Sequence, residues 1–215
     1  MNNLTELVFI LDQSASMQGL EAETLSGYNS MLDKQKPMYA PCRVSTFLFD
    51  STTRIVHDRA DIKQVPRMTA EHYRPQGYTA LLDAIGLAID RVGNIQKYTP
   101  PEQRAENVMV VIITDGMENA SRHYSLPRVR RMIEQQRQRF GWEFIFLGAN
   151  IDAIDTATSY GIHPDCASDY IADSQGTRLS FETVAEVVSS FRLKEADYAR
   201  QLDKVRHDQH QRTRQ

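Results

Sequence analysis

The sequence predicts an α/β protein with a mostly parallel central sheet, because short apolar runs alternate with segments of helical periodicity. Two apolar runs, 7–11 and 108–113, contain β-branched residues and no charged residue, which is typical of strands buried on both faces. The short connection Asp50-Ser51-Thr52 joins two further predicted strands. It is too short for a crossover, so these strands form a hairpin and one of them is an antiparallel edge strand.

The individual elements follow from the same patterns. Strands are predicted at residues 7–11, 43–49, 53–57, 107–114 and 142–147, with an edge strand at 168–172. Helices are predicted at 19–36, 77–96, 125–140, 151–160 and 177–192, where apolar residues recur every three or four positions. Strands that alternate with helices indicate a sheet covered by helices on both faces. Residues 1–192 are therefore expected to form the domain, and the polar residues 193–215 a helical or frayed tail outside its core.

Composition and charge disfavour several classes of protein. The net charge of −3 gives no global attraction to nucleic acid. The chain has no run of eighteen apolar residues that could span a membrane, and its first residues lack the basic region and apolar core of a signal peptide. Cys42 and Cys166 form neither a CxxC motif nor a disulfide framework. We expect a cytoplasmic protein that binds neither nucleic acid nor membrane; no pattern indicates an oligomeric state.

Oxygen-bearing side chains follow two of the predicted strands and open one predicted helix. They are Asp12, Ser14 and Ser16 after the first strand, Thr79 at the start of the helix 77–96, and Asp115 after the fourth strand. Ligands of open α/β sheets bind beyond the carboxyl ends of the strands, so these side chains are expected to meet at one sheet edge. Carboxylates and hydroxyls are hard ligands that suit Mg²⁺ or another hard divalent cation rather than zinc or copper. Alternatively, Thr79 only caps its helix.

This pattern resembles the von Willebrand factor A domain family, whose metal-ion-dependent adhesion site consists of Asp-x-Ser-x-Ser, a Thr and an Asp in this order. The five positions match one by one: Asp12, Ser14, Ser16, Thr79 and Asp115. The resemblance covers about residues 5–192 and implies a Rossmann-like fold, with Mg²⁺, Mn²⁺ or Ca²⁺ as the cofactor. Two positions depart from the family pattern: Ala15 stands where Gly is common, and Tyr78 where a small residue often precedes the Thr.

The resemblance implies a non-enzymatic protein-binding module whose cation engages an Asp or Glu of a partner, as an adaptor or assembly factor in a multiprotein complex. Among intracellular bacterial stand-alone proteins of this family, the partners include AAA-type ATPases and proteins of tellurite-resistance gene clusters, which are therefore candidate partners. The chain has no Walker motif, so an ATPase would be a separate chain. Four residues are expected to form a rim that contacts the partner: Met17, Tyr78, Gly116 and Asn119. Asn119 is otherwise interpreted as a turn residue.

A metal-dependent phosphoryl hydrolase is the alternative function. Asp12 would be its nucleophile, as in the haloacid dehalogenase family, but that family has a second Asp two residues later, where this chain has Ser14. Nucleotide binding is disfavoured because no Gly-x-Gly-x-x-Gly follows the first strand.

Overall fold

The computed structural model describes residues 3–195 and 198–213. The strands are β1 (Thr5–Asp12), β2 (Cys42–Phe49), β3 (Thr53–Asp61), β4 (Asn107–Thr114), β5 (Glu143–Gly148) and β6 (Ala167–Asp169). The helices are α1 (Glu21–Gln35), α2 (Leu81–Tyr98), α3 (Leu126–Phe140), α4 (Ala153–Ser159), α5 (Ser174–Leu193) and α6 (Tyr198–Arg212). The sheet has the order β3-β2-β1-β4-β5-β6. All neighbouring strands are parallel except β2 and β3, so the predicted sheet with one antiparallel edge strand is confirmed.

Alternate side chains of β1 enter two cores on opposite faces of the sheet, because the side-chain period of a strand is two residues. Leu7, Phe9 and Leu11 pack on one face with α1, α5 and α6. Val8 and Ile10 pack on the other face with α2, α3 and α4. The predicted helices on both faces are therefore present, and β1 lies at the centre of the molecule with its carboxyl end at the sheet edge that carries the candidate site.

Several element boundaries differ from the predicted ones. Helix α2 begins at Leu81 instead of residue 77, because Gly77 has a φ of +69° and the chain turns there. Strand β3 continues to Asp61, and β6 is limited to residues 167–169. Helix α5 begins at Ser174, because the side chain of Asp173 accepts a hydrogen bond from the Gly176 N–H and caps the first turn.

The prediction that residues 193–215 lie outside the core is wrong for helix α6. Leu202 and Val205 are buried in the same core as α1 and α5. The Arg206 guanidinium donates a 2.7 Å hydrogen bond to the Ala167 carbonyl of β6. Two apolar residues three positions apart form a short stripe, which is enough to dock an otherwise polar helix. Residues 196–197 and 214–215 of the predicted tail, and residues 1–2 of the predicted domain, lie outside the described residues.

Within residues 3–195 and 198–213, none of the helices is long and apolar enough to cross a membrane. Cys42 is buried, Cys166 is half-buried, and both are free thiols.

Candidate metal site

Two loops pair at the carboxyl end of β1 and bring the residues after β1 beside the residues before α2. The Gln76 N–H donates to the Gln13 carbonyl at 2.9 Å, and the Ala15 N–H donates to the Gly77 carbonyl at 3.2 Å. A Cβ on Gly77 would lie 2.8 Å from the Ser51 hydroxyl oxygen. The close approach and the positive φ therefore both require glycine at this position.

The side chains of the three segments meet in one cluster. The Ser14 and Ser16 hydroxyl oxygens are 3.0 Å apart, and the Ser16 hydroxyl donates to Asp115 Oδ1 at 2.5 Å. A Cβ on Gly116 would lie 3.4 Å from Thr79 Oγ1 and 3.6 Å from Ser16 Oγ, so these two hydroxyls flank Gly116. The structure thus brings the predicted residues together, and their binding of a metal stays a prediction.

Asp12 is held in place by contacts to both carboxylate oxygens and to its main chain. Its Oδ1 accepts the Ser14 N–H at 2.7 Å, and its Oδ2 accepts the Thr114 hydroxyl at 2.6 Å. The Tyr73 hydroxyl donates to the Asp12 carbonyl at 2.6 Å. Burial raises the pKa of the Asp12 carboxyl, although the hydrogen bonds from Ser14 and Thr114 to the carboxylate oppose the shift. Asp12 is therefore a fixed, desolvated carboxylate at the base of the cluster.

Asp115 indicates that the cluster fits a cation. Its side chain is only 2% exposed, and Oδ2 is buried without a hydrogen-bond partner among the described residues. Within residues 3–195 and 198–213, neither the Asp12 nor the Asp115 carboxylate forms an ion pair. Burial raises the pKa of Asp115 to about 6. Two buried carboxylates without a cationic side chain, together with three hydroxyls, form a donor set suited to a hard divalent cation.

Asn119 has a larger role than the sequence interpretation gave it. Its side-chain Oδ1 accepts a hydrogen bond from the Thr79 N–H at 2.9 Å, and its backbone N–H donates to the Thr79 carbonyl at 3.0 Å. These bonds join residues 40 positions apart, so the side chain does more than stabilise a local turn. The one signal in the sequence was its position four residues after Asp115.

The capping interpretation of Thr79 is wrong, because other residues cap helix α2. Glu118 accepts the Leu82 N–H at 2.8 Å, and the Ser121 hydroxyl accepts the Asp83 N–H at 2.9 Å. In return, the Asp83 carboxylate accepts the backbone N–H groups of residues 122–124. The loop after β4 and the first turn of α2 are therefore fixed to each other. The Thr79 hydroxyl forms no hydrogen bond within the described ranges, which leaves it available to a ligand.

The predicted rim is correct in exposure at two positions, partly correct at one and wrong at one. Tyr78 is 70% exposed, Asn119 is exposed, and Gly116 is half-buried. Met17 is buried, because the turn after Ser16 directs its side chain into the core with α1 and α5. The sequence interpretation missed Met117, which is 71% exposed directly after Gly116.

No protein-family model matches the sequence, and no curated protein matches it. Similar solved structures include proximal thread matrix protein 1 from the mussel byssus with a zinc-occupied MIDAS motif (TM-score 0.58, 14% identity, 86% of this chain and 45% of that chain). They also include the manganese-loaded TRAP protein of Plasmodium vivax (0.58, 17%, 84% and 74%) and the pilus adhesin SpaC of Lactobacillus rhamnosus GG (0.64, 13%, 87% and 30%).

The chain thus spans less than half the length of the mussel protein and of SpaC. Identities of 13–17% establish likeness of fold alone. The sheet order and the helices on both faces agree with that likeness. We conclude that the chain has the von Willebrand factor A fold.

Proposed function

We propose that this chain is a protein-binding module that depends on a divalent cation. The residues that would hold the cation are Asp12, Ser14, Ser16, Thr79 and Asp115. The observation that carries the proposal is the buried Oδ2 of Asp115, which lies beside the hydroxyl cluster and has no hydrogen-bond partner within residues 3–195 and 198–213. We propose Mg²⁺, with Mn²⁺ or Ca²⁺ as alternatives, because all five side chains are oxygen ligands.

The chemistry of the site favours a carboxylate of another protein as the ligand. A bound divalent cation would offer an open coordination position to an external oxygen anion. Three of the five protein ligands are neutral hydroxyls, so Asp12 and Asp115 only balance the charge of such a cation. Ser16 is exposed whereas both carboxylates are buried, so an Asp or Glu would approach from the Ser16 side. Exposed Tyr78 and Met117 would add contact area beside it.

The contacts of Asp12 support a binding function over phosphoryl hydrolysis. A nucleophilic aspartate must present a free carboxylate oxygen to phosphorus in an in-line approach. Asp12 is buried, and its two oxygens accept hydrogen bonds from the Ser14 N–H and the Thr114 hydroxyl. A carboxylate held in this way suits a metal ligand better than a nucleophile.

Calorimetric titration of the EDTA-stripped protein with Mg²⁺ tests the cation site. Wild type is expected to bind one cation and Asp12→Ala none, because that substitution removes a ligand from the base of the cluster. Asp165→Ala, which changes an exposed carboxylate far along the chain, is expected to bind like wild type. Equal affinity of Asp12→Ala and wild type would exclude the proposed site.

The protein-binding role has its own test. We propose that the partner is a protein with an accessible Asp or Glu, with an AAA-type ATPase as one candidate. A partner captured by the full chain should dissociate in EDTA, bind again in Mg²⁺ and fail to bind Thr79→Ala. A partner whose binding is the same in EDTA and in Mg²⁺ would show that the fold serves as a metal-independent scaffold.

A further inference from the structure

A groove of about 880 Å³ adjoins the candidate metal site. Its walls are the turn between β2 and β3, the start of α2, and the loop 119–124. Tyr78 lines the groove and directly precedes Thr79, and Asn119 lines it while bonding the Thr79 backbone. A ligand that reaches the metal site past Thr79 would therefore continue into this groove.

The groove presents apolar side chains that nothing in the described chain covers. Tyr78 is 70% exposed and Leu87 is 37% exposed, and both belong to its lining. The ring of Tyr124 forms a further part of the wall. Exposed tyrosine and leucine side chains that line one concavity are typical of sites that receive an apolar side chain of a partner.

The part of the wall that Tyr124 forms is held by three contacts. A Cβ on Gly86 would lie 2.2 Å from the Tyr124 ring, so this ring packs directly on the backbone of α2. The Tyr124 hydroxyl donates to Asp90 Oδ2 at 2.6 Å, and the Arg128 guanidinium lies 4.3 Å from the ring centre. A preformed wall reduces the ordering cost of binding, which favours a defined ligand over a non-specific contact.

The lining of the groove contains one carboxylate, that of Asp83, and one guanidinium group, that of Arg122. The Asp83 carboxylate accepts hydrogen bonds from three backbone N–H groups of the loop, and these bonds stabilise its negative charge. Arg122 and His123 are exposed at the rim. In residues 3–195 and 198–213, the Arg122 guanidinium has no ion-pair partner. An acidic residue of a bound segment would therefore find the Arg122 guanidinium as an ion-pair partner at the rim.

We propose that the groove binds an extended segment of the partner protein, in which the coordinating Asp or Glu is accompanied by a large apolar side chain that packs against Tyr78 and Leu87. This inference rests on the proposed function, because the coordinating carboxylate sets where the segment enters. The groove then determines which acidic segments are bound, since the cation alone accepts any accessible carboxylate.

Peptide selection on the full chain tests the inference without a known partner. The probe is a phage-displayed library with one fixed Asp between random residues, selected in Mg²⁺. We expect the selected peptides to share an aromatic or aliphatic residue at a constant distance from the Asp. Their affinity, measured by fluorescence polarisation, should fall at least tenfold in Tyr78→Ser and in Leu87→Ser, because each change removes apolar contact area.

The chain offers a matched control for each variant. Tyr98 is 75% exposed and Leu126 is 38% exposed, close to the values of Tyr78 and Leu87, and neither lines the groove. Tyr98→Ser and Leu126→Ser should bind the selected peptides like wild type. Mg²⁺ titration of the two groove variants checks that their metal site is intact.

Failure of the groove and failure of the proposed function give different results. Peptides that need Mg²⁺ but bind Tyr78→Ser and Leu87→Ser as well as wild type would overturn the groove proposal alone. Selected peptides with no shared apolar position would do the same. Peptides that bind equally in EDTA and to Asp12→Ala would overturn the proposed function, and a selection without any Mg²⁺-dependent binder would contradict both.

Discussion

Thr79 and Asn119 are joined by a reciprocal pair of hydrogen bonds across 40 residues of sequence. The Thr79 N–H donates to Asn119 Oδ1 at 2.9 Å, and the Asn119 N–H donates to the Thr79 carbonyl at 3.0 Å. The loop after β4 carries Asp115 as well as Asn119, so one loop supplies a candidate ligand and fixes the backbone of another. Asn119 is in this sense a positioning residue for the Thr79 hydroxyl.

Asn119→Ala is expected to lower the affinity for Mg²⁺ by about 10–100-fold, the usual effect of removing a group that orients a metal ligand. The reason is that the Thr79 backbone loses its Oδ1 acceptor and the hydroxyl loses a defined position. Calorimetric titration measures the affinity. Asn94→Ala, which changes an exposed amide on α2, should bind Mg²⁺ like wild type.

A double-mutant cycle separates positioning from general structural damage. If Asn119 acts through Thr79, Asn119→Ala should have little further effect on Mg²⁺ affinity in a Thr79→Ala background. Additive losses in the double variant would show that Asn119 acts on the site by another route. Thermal unfolding in EDTA reports whether the fold itself is affected.

Asp115→Asn is expected to stabilise the cation-free protein and to abolish cation binding. Burial raises the pKa of Asp115 from 3.8 to about 6, which corresponds to about 3 kcal/mol at most for the ionised carboxylate at pH 8. Asparagine removes the buried charge and keeps an oxygen that can accept the Ser16 hydroxyl. Urea unfolding at pH 8 in EDTA should show a gain of about 1–3 kcal/mol, whereas Asp165→Asn should show none. An unchanged or lower free energy of unfolding would contradict this account.

The sequence predicts those parts of the fold and of the site that have a recognisable pattern of neighbouring residues. The apolar runs of β1 and β4 identify buried strands wherever they pair; Asp12 is the last residue of β1, and Asp115 directly follows β4. The carboxyl ends of parallel strands share one edge of the sheet. The positions of the candidate ligands at these ends were therefore enough to predict that their side chains lie together. The hairpin of β2 and β3 was predicted from a second local signal, a connection between the strands that is too short for any other arrangement.

The parts that sequence did not predict depend on contacts between distant segments. Glu118 and Ser121 cap the first turn of helix α2 from another loop, and a cap of this kind has no sequence pattern of its own. Helix α6 was predicted to lie outside the core because its composition is polar, but Leu202 and Val205 dock it against α5. Two residues are too few for a periodicity argument.

Leu202→Ala is expected to destabilise the protein by about 2–4 kcal/mol, the usual cost of truncating a fully buried leucine. Leu202 lies in the same core as α1 and α5, so the cavity would form inside the domain. Chemical denaturation measures the loss, and His210→Ala, an exposed change on the same helix, should have little effect. A chain that ends at Arg192 should be destabilised by at least as much. Equal stability of Leu202→Ala and wild type would mean that α6 does not contribute to the core in solution.

His57 is expected to make stability depend on pH. Its side chain is buried, and Nδ1 lies 3.0 Å from the Thr46 hydroxyl and 3.2 Å from the Tyr28 hydroxyl. Burial lowers the pKa of His57, and the charge of His72 lowers it further, although a hydrogen bond to the Pro66 carbonyl opposes the shift. The neutral ring is therefore the form that the folded state favours.

The direction of the effect follows from the lowered pKa. Above pH 6.5, the ordinary value for histidine, the ring is neutral in both the folded and the unfolded state. As the pH falls below 6.5, the unfolded state takes up the proton first, so the free energy of unfolding decreases. His57→Gln keeps a polar group beside Tyr28 and Thr46 but does not titrate, so urea unfolding at pH 7.5 and pH 5 should show a smaller decrease in the variant than in wild type. If both proteins lost the same stability over this interval, the decrease would arise from other groups, and the buried ring would be protonated without cost to the fold.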